Sequence, residues 1–267
     1  MIKVLSLFSG IGAFEKALEN LNIDFEIVNY CEIDKYASKA YSLIHNIPES
    51  KNLGDITKIN EKDLPKDIDL ITYGFPCQDI SISGTKKGFI DEQGNKTRSG
   101  LFFDALRILE CAKPKIAIAE NVKNITSKKM MPIFNLVLNS LSEAGYVNQY
   151  KIMDACDYGM PQSRKRIFIV SFRKDIYHGF EFPEPIELTT WMRDYLEKDA
   201  PIKYNLSEKA IQYMDEKVSD GRTHWEFNYH NDTDKRLSRC ILANIRKGIP
   251  YNVLIERNNS VCRPEAL

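Results

Sequence analysis

The chain has 267 residues, with 37 Lys and Arg balanced by 37 Asp and Glu, so its formal net charge is zero. Apolar residues make up 43% and charged residues 28%, which excludes disorder as the main state, because disorder needs low hydrophobicity and high net charge. No run approaches the roughly 20 apolar residues that span a bilayer, and the six Cys include no Cys-x-x-Cys pair that would suggest a disulfide framework or a zinc site.

The N-terminus enters a strand-like pattern at once, with no cleavable signal, and the Cys usage suits a reducing, cytoplasmic compartment. Residues 4–8 (VLSLF) form the first buried-strand candidate. Helical spacing follows, with Phe14, Ala17, Leu18 and Leu21 on one expected apolar face. Residues 25–31 (FEIVNYC) predict a second strand and 35–45 a second helix. A strand over 68–75 and a helix over 101–111 come next, the helix stopped by Pro114. Residues 115–120 (KIAIAE) predict a strand. Residues 131–144 predict a helix, with Gly145 as its C′ residue. Strands over 146–153 and 166–172 complete the set and are expected to form an antiparallel pair. Strand and helix in alternation predict a Rossmann-like α/β fold, a mostly parallel sheet with helices on both faces.

Two prolines, Pro183 and Pro185, then mark a boundary. The expected division is a catalytic domain over 1–182, then a linker and the start of a target-recognition region over 183–267. Helices are expected over 191–196 and 207–218. Beyond Gly221 the sequence is polar and irregular.

Phe8-Ser9-Gly10-Ile11-Gly12 lies between the first strand and the first helix. Glycines there let a ligand approach the backbone at a helix N-terminus. The dinucleotide fingerprint is incomplete, because Glu15 stands where a third Gly belongs. Glu32 just past the second strand is placed to hydrogen-bond ribose hydroxyls, or is a solvated strand-end carboxylate. Asp55, in Gly54-Asp55-Ile56, adds an acceptor for an exocyclic amine. Pro76-Cys77-Gln78 follows the third strand, where open α/β sheets carry their sites. Cys77 there is either an activated nucleophile or a buried structural thiol. The loop after it, rich in Gly and Ser, suits a lid or a long surface loop. Glu120-Asn121-Val122 ends the next strand, so Glu120 lies near Cys77 if the two strands are neighbours. In Gln162-Ser163-Arg164-Lys165-Arg166, two guanidiniums alternate on one face of an extended segment, which suits phosphate or base-edge contacts.

Taken in order, these segments resemble the cytosine-5 DNA methyltransferase family of bacterial and phage restriction-modification systems. Lys87-Gly88-Phe89, Leu101-Phe102-Phe103 and Tyr158-Gly159-Met160-Pro161 add to the likeness, which spans about residues 2–190. The resemblance implies S-adenosylmethionine as cofactor, double-stranded DNA as partner and no metal. It implies that Phe8, Gly10, Ile11 and Gly12 line the cofactor pocket, with Ile56, Gly74, Pro76 and Leu101 around it. Glu32 is then the ribose ligand, Ile33 packs on adenine, and Asp55 accepts from its amino group. Cys77 is the nucleophile, Glu120 holds the cytosine at N3 and its amino group, Arg166 contacts O2, and Arg164 supports the site. Ser81 and Ser83 fall in the lid that closes on the DNA. A stacked base is out of reach of a thiol, so the cytosine must be flipped out.

The sequence departs from the family towards its end. An Arg-rich segment and a terminal Gly-Asn-Ser/Ala-Val segment are both missing, although Asn258-Asn259-Ser260-Val261 echoes the second. Three expectations follow: a truncated chain, one subunit of a split enzyme whose second chain supplies the remainder, or a compact enzyme. Residues 235–257 hold six Lys or Arg and one acid, Glu256, a candidate phosphate-contacting stretch. A tRNA cytosine and a non-catalytic binding module remain the alternative readings.

Overall fold

The computed structural model describes residues 1–76, 100–195, 207–209, 212, 228–230, 237–239, 252–255 and 261–262. The elements in chain order are β1 (Ile2–Leu7), α1 (Ala13–Asn20), β2 (Phe25–Cys31), α2 (Lys35–Ile44), β3 (Leu70–Tyr73), α3 (Leu101–Ala112), β4 (Ile116–Val122), α4 (Met131–Glu143), β5 (Tyr146–Asp154), β6 (Gln162–Ser163) and β7 (Lys165–Arg173). Four short strands follow: β8 (Asn228–His230), β9 (Ser238–Arg239), β10 (Asn252–Ile255) and β11 (Val261–Cys262).

By contacts the chain falls into two units. The first comprises residues 1–152 and 166–182; the second comprises 153–165 and 183–267. The first unit is built on a six-stranded sheet of order β2-β1-β3-β4-β7-β5. Strands β2, β1, β3 and β4 are parallel, and β7 runs antiparallel against β4. Strands β7 and β5 are neighbours, as their sequences predict. The order reverses direction between β1 and β3, which opens a crevice at the carboxyl ends of these strands.

The core follows from helical periodicity. Helix α3 buries Phe102, Ala105, Ile108 and Leu109, and α4 buries Phe134, Val137 and Leu141. These pack on the β1, β3 and β4 side chains Leu5, Leu7, Ile71, Tyr73, Ala117 and Ala119. Gly145 takes φ 98° after α4, the left-handed C′ position expected of it. Helix α2 is capped by Asp34, whose Oδ1 accepts from the amides of Tyr36 and Ala37.

Helix α1 departs from its sequence pattern. Leu21 beyond its end is 68% exposed and Ala17 is exposed, whereas Glu15 is fully buried. The cause is a polar floor on the sheet: Thr72 Oγ1 lies 3.5 Å from Glu15 Oε1 and donates to Ser6 Oγ at 3.3 Å. The helix turns its carboxylate, not its leucines, towards those hydroxyls.

The second unit contains β6 beside β9 in parallel, and β10 between β8 and β11. Within it, Tyr158 Oη donates to Pro183 O at 3.1 Å, and the Ile186 amide donates to Asp157 O at 2.8 Å. The described part of the helix expected over 191–196 is a 3-10 turn, Met192–Tyr195, in which Asp194 Oδ2 captures the Trp191 amide. Among the described residues no helix is long and apolar enough to cross a membrane. Cys77, Ser81 and Ser83, the Lys87-Gly88-Phe89 segment and most of the basic 235–257 stretch lie outside the described residues.

Candidate functional site

The parallel register brings four strand ends to one edge. Leu7 is level with Cys31 on one side and Tyr73 on the other, and Tyr73 is level with Ala119. The residues that leave this edge are therefore Phe8, Glu32, Gly74 and Glu120, each singled out by its sequence.

The Phe8–Gly12 turn is held by polar contacts to β2. Ser9 exchanges backbone and side-chain bonds with Cys31: its amide and its hydroxyl both donate to Cys31 O, at 3.1 and 3.2 Å. Glu32 Oε2 accepts the Gly10 amide at 2.8 Å, and Oε1 accepts the Asp34 amide at the same distance. Each carboxylate oxygen keeps a lone pair free for a further donor. Gly10 has φ 55°, and nothing lies within 4 Å of the place its Cβ would occupy. The turn is thus open on the side where a ligand can reach the backbone. Ile11 and Ile33 flank it with side chains 58% and 75% exposed; exposed apolar groups at a crevice are available to cover a flat ring.

Asn52 went unmarked in the sequence, yet it ties this region together. Its Oδ1 accepts from the Glu32 and Gly54 amides, and its Nδ2 donates to Glu32 O and Ser38 Oγ, all between 2.9 and 3.0 Å. Its position two residues before Gly54 is the available signal, since Asn side chains close such turns onto the backbone. Cys31 Sγ donates to Gly54 O at 3.0 Å, and burial pushes this thiol up to about 12, which makes it inert. Asp55 caps a 3-10 turn through the Thr57 amide and hydroxyl, which hold its carboxyl below the usual range. Ile56 is buried in the core. Arg107 of α3 secures this segment by donating to Ile56 O at 3.0 Å and Ile59 O at 2.8 Å and by pairing with Glu61.

Strands β3 and β4 are neighbours, the condition for Glu120 to lie beside the Cys77 segment. A Cβ on Gly74 would sit 3.7 Å from Glu120 Oε2, and Asn121 Nδ2 donates to Phe75 O at 3.2 Å. Pro76, two residues on, directly precedes Cys77. Arg166, opposite Val122 on β7, reaches diagonally to Glu120, and its Nε lies 2.8 Å from Oε1. This charge-assisted contact fixes the carboxylate and leaves Oε2 turned towards Gly74. Arg164 belongs to the second unit, where its amide donates to Asp154 Oδ1 at 2.7 Å. Leu101 packs against the core. Among the described residues no cluster of His, Cys, Asp and Glu could hold a metal ion.

The profile of the C-5 cytosine-specific DNA methylase family matches residues 2–260. The type II methyltransferase M.HhaI of Haemophilus parahaemolyticus is 41% identical over 214 residues, 80% of this chain and 62% of that protein. M.NlaX of Neisseria lactamica, also a type II methyltransferase, is 38% identical over 223 residues, 83% of this chain and 68% of the relative. The chain spans about three-fifths of M.HhaI and 42% of the orphan methyltransferase M.SPRI of Bacillus phage SPR. Among solved structures, the Entamoeba histolytica methyltransferase EhMeth matches with a TM-score of 0.73 at 21% identity, covering 98% of this chain and 82% of that one. The S. pombe Dnmt2 methyltransferase matches with a TM-score of 0.71 at 23% identity, over 95% and 76% of the two chains, and both share the Rossmann-like fold. By its motifs, its sheet order and the span of the profile match, this chain belongs to the C-5 cytosine-specific DNA methylase family.

Proposed function

We propose that this chain carries the cofactor site and catalytic groups for methylation of cytosine C5 in DNA. The observation that carries the reading is the Glu120–Arg166 pair beside Gly74, on the same sheet edge as the Gly10–Glu32 contact. The donor set fits S-adenosylmethionine: an open glycine turn for its amino-acid portion, the Glu32 carboxylate for its ribose hydroxyls, and Ile33 with Asp55 for its adenine. Bound there, it supplies an electrophilic methyl group.

The protein's part is to make C5 nucleophilic. Cytosine flipped from the duplex enters beside Glu120, at a cost of a few kcal/mol that pocket contacts offset. The Cys77 thiolate adds to C6, and the electron pair of the 5,6 double bond becomes available at C5. Protonation or hydrogen bonding of N3 by Glu120 stabilises the adduct, help worth typically ~10²–10⁴-fold. Arg166 keeps Glu120 aimed. After C5 is methylated its proton leaves, the double bond re-forms, and Cys77 departs by β-elimination. Ser81 and Ser83 are assigned to the DNA-facing lid and Arg164 to support of the base. The unpaired Cys31, Cys111 and Cys156 suit a reducing cytoplasm.

Trapping tests this. Duplex DNA carrying 5-fluorocytosine, incubated with the protein and S-adenosylmethionine, should give a covalent adduct mapped to Cys77, because fluorine blocks the final elimination. Cys77→Ser should abolish the adduct and leave cofactor affinity within about twofold. An adduct formed on tRNA and not on DNA would change the substrate. Cofactor binding with no adduct on either polymer would refute the catalytic assignment.

A further inference from the structure

The glycine turn has a support that no motif marks. His45 stands at the C-terminal end of α2, and its side chain is completely buried. Its Nε2 lies 3.1 Å from Ile11 O, the carbonyl at the tip of the turn, and its Nδ1 lies 3.3 Å from Glu19 Oε1 on α1. One neighbour is a backbone carbonyl and the other a carboxylate oxygen, so the ring bridges the turn to α1. The ring also packs on Tyr41, with centroids 4.6 Å apart.

A second, independent observation is the fit to Gly12. A Cβ at this position would fall 2.0 Å from His45 Nε2, and three ring atoms would lie within 3 Å of it. The imidazole therefore occupies the space that the glycine leaves empty. The remainder of the turn is set from the end of β2 by Glu32, at Gly10, and by Cys31, whose amide donates to Ser9 Oγ. His45 is the group that grips it from α2.

We infer that His45 is a positioning residue for the cofactor: it holds the Ile11–Gly12 turn in its binding shape and so sets the affinity for S-adenosylmethionine without touching it. The inference rests on the reading that the cofactor sits at this turn. Glutamine can place an N–H near the position of Nε2 and keep the bond to Ile11 O, whereas alanine keeps neither contact.

Calorimetric titration of the 267-residue protein with S-adenosylhomocysteine tests this, together with hydrogen exchange of the 9–16 segment in the free protein. His45→Ala should weaken binding about tenfold, equivalent to about 1.4 kcal/mol, and speed exchange of the Gly12 and Lys16 amides. His45→Gln should restore both to within about threefold of the parent, since it keeps the bond to Ile11 O and gives up only the longer contact to Glu19. A folded His45→Ala variant that binds like the parent overturns the inference, as does a His45→Gln variant as impaired as alanine. A parent protein that binds no S-adenosylhomocysteine overturns instead the placement of the cofactor, and this inference with it.

Discussion

Replacing Gly12 by alanine should be far more damaging than the same change at Gly10, although both glycines have positive φ in one turn. Gly10 sits at φ 55° with open space where a Cβ would go. Gly10→Ala therefore carries only the left-handed backbone penalty, about 1 kcal/mol. Gly12 sits at φ 84° and has His45 Nε2 only 2.0 Å from the new methyl. The ring is fully buried and cannot swing into solvent without loss. Displacing it breaks the contacts to Ile11 O and Glu19, at roughly 1 kcal/mol each. Gly12→Ala should thus cost about 3 kcal/mol, some 2 more than Gly10→Ala. In a domain of this size 2 kcal/mol corresponds to roughly 4–8 °C in thermal midpoint. Urea unfolding of both variants gives the comparison, and the cycle with His45→Ala isolates its cause. Once the ring is gone, Gly12→Ala should cost only about 1 kcal/mol, a coupling near 2. Equal losses for the two alanine variants, or no coupling to His45, would refute the steric account.

Arg107→Lys keeps the charge but cannot reach the Ile56 and Ile59 carbonyls together; with the side chain 31% exposed the loss should be about 2 kcal/mol in urea unfolding. Asp69, 25% exposed, is held below the ordinary aspartate range by Lys115, 2.7 Å away, and then by the Lys3 amide. Its depressed carboxyl contributes stability that is fully present above the ordinary aspartate value and is lost as pH falls through the folded value. The parent should accordingly lose more stability between pH 7 and pH 3 than Asp69→Asn, by up to about 1 kcal/mol; parallel losses would refute the assignment.

The sheet was legible because its strands are short apolar runs punctuated by turn residues, and β2 was readable to the residue from FEIVNYC. The mostly parallel character of the sheet was implied by alternation, since parallel neighbours need crossover connections, but the strand order was not. The candidate site was legible wherever a candidate residue lies within a few residues of a strand end: Gly10, Glu32, Gly74 and Glu120 all do. It was illegible where the partner comes from another element. His45 is separated from Ile11 by 34 positions and ends a helix with no visible marker. Glu15 stands in the sequence only as the residue that replaces a third Gly, outside the expected apolar face of its helix, yet Ser6 and Thr72 make a polar floor that draws it in. A periodicity argument weighs apolar residues only and cannot see hydroxyls on the facing strand.

On the proposed reading, cofactor binding and base chemistry fall to different groups of strands. The glycine turn is gripped wholly from the β1–α1–β2–α2 half: by Ser9 with Cys31, by Glu32 at Gly10 and by His45 at Ile11. Among the described residues, the carboxylate of Glu120 is set from β3, β4 and β7: by Arg166, by Gly74 beside it and by Asn121 on Phe75. Among the described residues and their contacts the two sets do not overlap, and strands β1 and β3 join them as a backbone ladder. Changes in α2 should therefore act on cofactor affinity and spare chemistry at saturating cofactor. Changes at Arg166 should act on the chemical step and spare cofactor affinity. That division follows from placing the crevice where the strand order reverses, because the two sides of the crevice are then built from different crossover units.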